Sequence, residues 1–186
     1  MKIDSSLILE PVKVKAMAPE MEAAGFDGAY TFEGQSDPFI SVAAAAMTTQ
    51  KMELMTSIAV AFARNPMSLA YLSNDLQNLS AGRFILGLGT QIKAHVERRF
   101  SMPWSKPAAR MREMVQAVRA IWDCWESGTK LDFQGEFYQH TLMTPMFVPP
   151  KSEYGPPPVY PGIPAGSPVP WLGRPACGGQ TAFEGR

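Results

Sequence analysis

Few residues of this 186-residue chain are suited to chemistry. His95 and His140 are its only histidines, and Cys124 and Cys177 its only cysteines. The cysteines form no CxxC pair and neither histidine stands among clustered carboxylates, so no metal set is expected. No Ser-His-Asp arrangement is recognisable. The spacing that does invite chemistry is Gly87-Leu88-Gly89-Thr90. It closes an apolar run that starts at Phe84, and small residues with a hydroxyl at the carboxyl end of a parallel strand let a flat ligand approach the backbone. A dinucleotide fingerprint would need a third glycine where Ile92 stands, and three strand-helix units precede this one, which disfavours a Rossmann first turn. The plainer alternative is that both glycines relieve crowding at a barrel rim.

The elements around that stretch follow a regular rhythm. Lys2 to Leu9 reads as a first strand, and Val14, Met17, Met21 and Ala24 recur at helical spacing until Gly25. Pro19 places the regular part of that helix near itself, because proline suits a first turn and not a helix interior. Phe26 to Phe32 forms a second strand ending at Glu33. Asp37-Pro38 opens a second helix, with Asp37 as N-cap and Ile40, Ala43, Ala44 and Met47 along one face. Met52 to Val60 is a third strand, and the helix after it begins near Pro66. The strand at 84–88 follows, entered through Gly82 as a helix end. A long loop over 91–107 leads to a helix from about Ala108 to Ser127. Met111, Met114, Val115, Val118, Ile121, Trp122 and Trp125 form its apolar stripe, which reads as core packing. A small hairpin turning at Gln134-Gly135 spans 131–138.

Four such units imply a parallel sheet with helices packed outside it, and periodic β-α repetition without a Rossmann fingerprint favours a (β/α)8 barrel. Eight units take about 250 residues, so the fold expected here is α/β, a partial TIM barrel. Of the 17 prolines, 11 fall at or after Pro145, and beyond Tyr160 neither a period of 2 nor one of 3.6 persists. The chain therefore divides into 1–160, the barrel half, and 161–186, a Pro/Gly-rich tail expected to be extended or disordered. Lysine plus arginine balances aspartate plus glutamate at 17 each, which argues against nucleic acid or an anionic membrane surface as partner. No apolar run approaches the roughly 20 residues of a membrane span, and the two isolated cysteines suit a reducing cytoplasm.

Taken together, the segments Ala24-Gly25-Phe26-Asp27-Gly28, Asp37-Pro38-Phe39, Ala61-Phe62-Ala63-Arg64-Asn65-Pro66, Ser80-Ala81-Gly82-Arg83-Phe84 with Leu86-Gly87-Leu88-Gly89-Thr90, and Arg98 to Ser105 resemble the luciferase-like monooxygenase superfamily. The branch they are most similar to is its coenzyme F420-dependent oxidoreductases. The resemblance runs from residue 1 to about Tyr160, the amino-terminal half of the family's barrel. Past Tyr160 the chain departs from the family pattern, which reads as a truncated product.

The resemblance implies a cofactor ring laid across the carboxyl ends of the strands, and hydride transfer between F420 and a small organic substrate. Reduced FMN with monooxygenation is the alternative. It implies a bulge with a non-prolyl cis peptide at Ser57-Ile58 backing the ring, and cofactor contacts from Gly89, Thr90 and His95. Glu33 falls where the family often has an acidic residue beside the ring, so it is a candidate acid/base or substrate contact, with His95 as its companion in the catalytic set. Gly34 and Ser36 stand where relatives often place a histidine. A different class of reading is a non-catalytic half barrel, whose open strand edges and apolar faces would drive it into a homo-oligomer.

Overall fold

The computed structural model describes residues 2–162, and the tail expected to be disordered lies almost wholly outside them. Five parallel strand positions stand side by side in chain order. They are β1 (Asp4–Ser6), β2 (Gly28–Thr31), an interrupted third made of β3 (Glu53–Thr56) and β4 (Ala59–Val60), then β5 (Phe84–Gly89) and β8 (Val159–Gly162). Every pairing is parallel. Strands that neighbour each other in sequence order, each returning through a helix, make the arc of a barrel; a doubly wound sheet would reverse its order part-way. The partial-barrel expectation is met, and β8 supplies the fifth strand that the Pro156-Pro157-Pro158 run approaches.

The helices are α1 (Pro11–Ala23), α2 (Pro38–Ala46), α3 (Pro66–Leu79), the short α4 (Lys93–Arg98) and α5 (Pro107–Ser127). Each of α1, α2, α3 and α5 starts with proline in its first turn, where the missing N–H has no intrahelical partner to lose. Asp37 accepts the Phe39 N–H at 2.9 Å and Asn65 that of Ser68 at 2.9 Å, so both N-caps are built from side chains. Gly128 at φ +70° ends α5 in the left-handed conformation that glycine adopts without penalty, whereas α3 leaves through Ala81 at φ +52° before Gly82 at φ +82°. All seven stripe residues of α5 are buried, and the indole Nε1 of Trp122 donates to the Ala70 carbonyl of α3 at 3.1 Å.

Four local expectations are corrected. α1 begins at Pro11 and carries Pro19 inside it, because Val14, Ala18 and Met21 bury a continuous face that outweighs the lost bond. In α2 the buried stripe is Phe39, Val42, Ala45 and Ala46, while Ile40 and Met47 are 58% and 71% exposed. Alanine-rich helices look apolar all round, so periodicity alone does not choose the face. The long loop contains α4. The hairpin of β6 (Phe133–Gln134) and β7 (Gln139–His140) turns over four residues, not at Gln134-Gly135 alone. There the Glu113 carboxylate of α5 collects the N–H groups of Glu136, Phe137 and Tyr138 at 2.9, 2.6 and 2.6 Å, which holds the wider turn open.

Candidate active site

The third strand position is where the sheet departs from regularity. Against β5, Leu54 and Met55 stand opposite Phe84 and Ile85, and Ala59 and Val60 opposite Leu88 and Gly89. Three residues, 56–58, thus face two, Leu86 and Gly87, which is a bulge. The Ser57-Ile58 peptide within it is cis. The bulge and its cis bond are where the resemblance implied them.

Both glycines of the Gly-x-Gly are explained by that bulge. A Cβ on Gly87 would lie 1.7 Å from the Thr56 carbonyl oxygen, and one on Gly89 would lie 2.5 Å from Cδ1 and Cγ1 of Ile58. Crowding at the rim is therefore real, and its source is the backing segment itself. Ser57 is exposed, whereas Gly89 and Thr90 are buried. The Thr90 hydroxyl donates to the Gln91 carbonyl at 3.1 Å, where Gln91 turns at φ +59°.

Glu33 reaches the bulge from the other side. Its N–H donates to the Ile58 carbonyl at 3.2 Å, and its Oε2 accepts from the Val60 N–H at 2.7 Å and from Arg64 Nη1. Arg64 also donates to the Val60 carbonyl at 3.0 Å and, through Nη2, to Asp37 at 2.8 Å, with its guanidinium 5.1 Å from the Phe39 ring centroid. Burial works to lower the Arg64 pKa, and the Glu33 and Asp37 carboxylates outweigh it, leaving the guanidinium above its ordinary value. Among the described residues no donor reaches Oε1 of Glu33, which stays available as an acceptor.

Glu33, Ser57, Ile58, Gly89 and Thr90 thus gather at the carboxyl ends of β2, β3 and β5. His95 stands apart from that cluster. It is exposed on α4, and no described residue bonds its imidazole. Its helix is tied to the site through Arg99, whose Nη2 donates to the Gly34 carbonyl at 2.9 Å, one residue beyond Glu33. Among the described residues no group of three His, Cys, Asp or Glu side chains could hold a metal ion, and no helix is long and apolar enough to cross a membrane.

Sequence reasoning passed over two cations. Arg64 lies in a quoted motif, but its partners are 27 and 31 residues away. Arg110 is 6% exposed and forms no ion pair among the described residues. Its guanidinium sits 4.4 Å from the Phe62 ring centroid, donates through Nε to the Tyr138 hydroxyl at 2.9 Å and through Nη1 to the Pro103 carbonyl, and so fastens the loop before α5 over the sheet end. Trp104 of that loop meets Phe62 edge-on at 5.8 Å. A positive charge four residues into an apolar helix was the only signal for Arg110.

The Luciferase-like monooxygenase family model matches residues 9–168. The chain belongs to that family. An uncharacterised protein of Mycobacterium tuberculosis is 53% identical over 160 residues, which cover 86% of this chain and 47% of that relative. An F420-dependent glucose-6-phosphate dehydrogenase of Rhodococcus hoagii is 34% identical over 95 residues, 48% of this chain and 27% of the relative. Among solved structures, a monooxygenase from Streptomyces bottropensis superposes with a TM-score of 0.72 at 23% identity, covering 87% of this chain and 53% of that one. The oxygenating constituent of 3,6-diketocamphane monooxygenase from Pseudomonas putida, in complex with FMN, gives 0.70 at 15%, covering 87% and 51%. At such identities these structures speak for the fold. The chain spans about half the length of the relatives it matches over most of its own length.

Proposed function

We propose that this chain carries the ring-binding half of an oxidoreductase that moves hydride between coenzyme F420 and a small organic substrate. The observation that carries this reading is the bulge at residues 56–58, laid over a Gly-x-Gly-Thr strand end. The residues fit a planar ring backed by the bulge: Gly87 and Gly89 let Thr56 and Ile58 press against β5, a hydroxyl follows at Thr90, and Ser57 is exposed at the strand ends. The deazaflavin supplies the hydride acceptor or donor when bound. Ser57, Ile58 and Gly89 would back its ring, with Thr90 and His95 as polar contacts. Glu33, with Oε2 engaged by Arg64 and Val60, would offer Oε1 to a substrate hydroxyl or to a proton in transit. A cytoplasmic setting suits the unpaired thiol of Cys124.

FMN is the second reading, favoured by the fold's likeness to a monooxygenase in complex with FMN. Fluorescence titration of the purified chain with F420, and separately with FMN, decides between them when run beside size-exclusion chromatography. Saturable binding of F420 to a compact species is the expected result, and preferential binding of FMN would transfer the reading to the flavin branch. Failure to bind either, with early-eluting aggregates, would refute the ring-binding proposal and favour a non-catalytic half barrel.

A further inference from the structure

Every backbone group along a buried strand needs a partner, and the bulge takes one from β5. Between Met55 and Ala59 the third strand position stops pairing with β5, and the N–H of Gly87 goes to a side chain instead of a backbone carbonyl. The neighbouring Leu86 N–H is taken from the opposite side, by the Pro158 carbonyl at 2.9 Å. On the β2 side the bulge is held by three bonds: Ser57 N–H donates to the Thr31 carbonyl at 2.6 Å, and Glu33 bonds the Ile58 carbonyl and the Val60 N–H. Toward β5 a side chain bridges the gap. The Thr56 hydroxyl accepts from the Gly87 N–H at 2.9 Å and donates to the Gly87 carbonyl at 2.7 Å.

The geometry points to Thr56 as the positioning residue of the cofactor site, its hydroxyl standing in for the missing backbone acceptor of the Gly87 N–H, bonding the Gly87 carbonyl as well, and fixing where Ser57 and Ile58 sit over β5. A hydroxyl is suited to this because it donates and accepts at once. Valine has the same shape and β-branch but can do neither; serine can do both. Thr56 is 1% exposed, so it does not present itself to a ligand and acts through the bulge. The consequence for binding rests on the ring-site reading above, whereas the consequence for the backbone does not.

The test uses the full chain with Thr56→Val and Thr56→Ser, followed by residue-resolved amide exchange without ligand and by cofactor titration. Thr56→Val is expected to speed exchange at the Gly87 N–H and through residues 57–60 about tenfold or more, as two buried bonds are lost. It should also weaken F420 or FMN binding about tenfold. Thr56→Ser should keep both within about threefold of the native chain, because the hydroxyl remains. Should Thr56→Val not fold, Thr56→Ser still decides, since a Gly87 amide that exchanges like an unbonded one in that variant overturns the proposal. A Thr56→Val chain with native exchange at Gly87 overturns it equally. If the native chain binds neither cofactor, the ring-site reading fails while the exchange result still judges Thr56.

Discussion

Replacing Gly87 by alanine should damage the protein far more than replacing Gly89, although the two glycines stand two residues apart on one strand. At Gly87 the new Cβ meets the backbone oxygen of Thr56 at 1.7 Å, where ordinary contact begins near 3.4 Å. Thr56 is buried and paired with β2 on its other side, which leaves its carbonyl no room to swing clear, so β3 and β5 must separate by more than an ångström. That separation breaks the two Thr56–Gly87 hydrogen bonds, about 1 kcal/mol each and more if their groups stay buried and unpaired. Overpacking adds about 1–3 kcal/mol. The sum, about 3–6 kcal/mol, is comparable with the roughly 5–15 kcal/mol that holds a typical domain together. At Gly89 the obstacle is the end of the Ile58 side chain at 2.5 Å, which escapes by changing rotamer for about 1–2 kcal/mol. Urea unfolding followed by tryptophan fluorescence measures both. A Gly87→Ala variant within about 1 kcal/mol of the native chain, or one less damaged than Gly89→Ala, would refute the account of the bulge.

Two further outcomes follow from contacts away from the site. Burial works against the Glu22 carboxylate, but the Lys51, Met52 and Gln50 N–H groups it accepts outweigh this and hold its pKa below the ordinary carboxylate value. Its contribution is therefore complete above the unfolded pKa of about 4.3 and is lost as pH falls through the lower folded value. Glu22→Gln should flatten the loss of urea resistance between about pH 5 and pH 3; an unchanged acid slope would count against it. Trp122→Phe removes the indole bond to the Ala70 carbonyl and should cost about 1–2 kcal/mol at unchanged urea m-value, which equilibrium unfolding of the variant checks.

The strand-helix rhythm, the Asp37 cap, the glycine helix ends and the α5 stripe were legible because each is written within one element's own period. The Ser57-Ile58 bulge was legible only through resemblance. Its physical cause is a register between residues 56–58 and 86–87, which no local window contains. Arg64 illustrates the same limit: its partners Glu33 and Asp37 lie on the preceding strand-helix unit, so its role needs the fold first. The face of α2 failed for another reason, since Ala43, Ala44, Ala45 and Ala46 give no contrast between sides. Pro19 failed because packing of Val14, Ala18 and Met21 overrode a local propensity. His95 was singled out only through resemblance, and among the described residues its helix reaches the other site residues through the Arg99 bond to Gly34.

The chain-order arrangement of the strands has a bearing on how the molecule can assemble itself. The pairings Asp4 with Gly28, Gly28 with Glu53, and Leu54 with Phe84 each close a short stretch of chain. Each strand can therefore dock on its predecessor soon after leaving the ribosome, before anything downstream exists. Leu86 with Val159 is different, because α4, α5 and the hairpin all intervene. Closing that more than doubled span costs on the order of 1 kcal/mol more in chain entropy. The outer edge of β5 thus waits longest for its neighbour during synthesis, and it is there that a nascent chain of this kind is most open to capture by a chaperone or by another nascent chain.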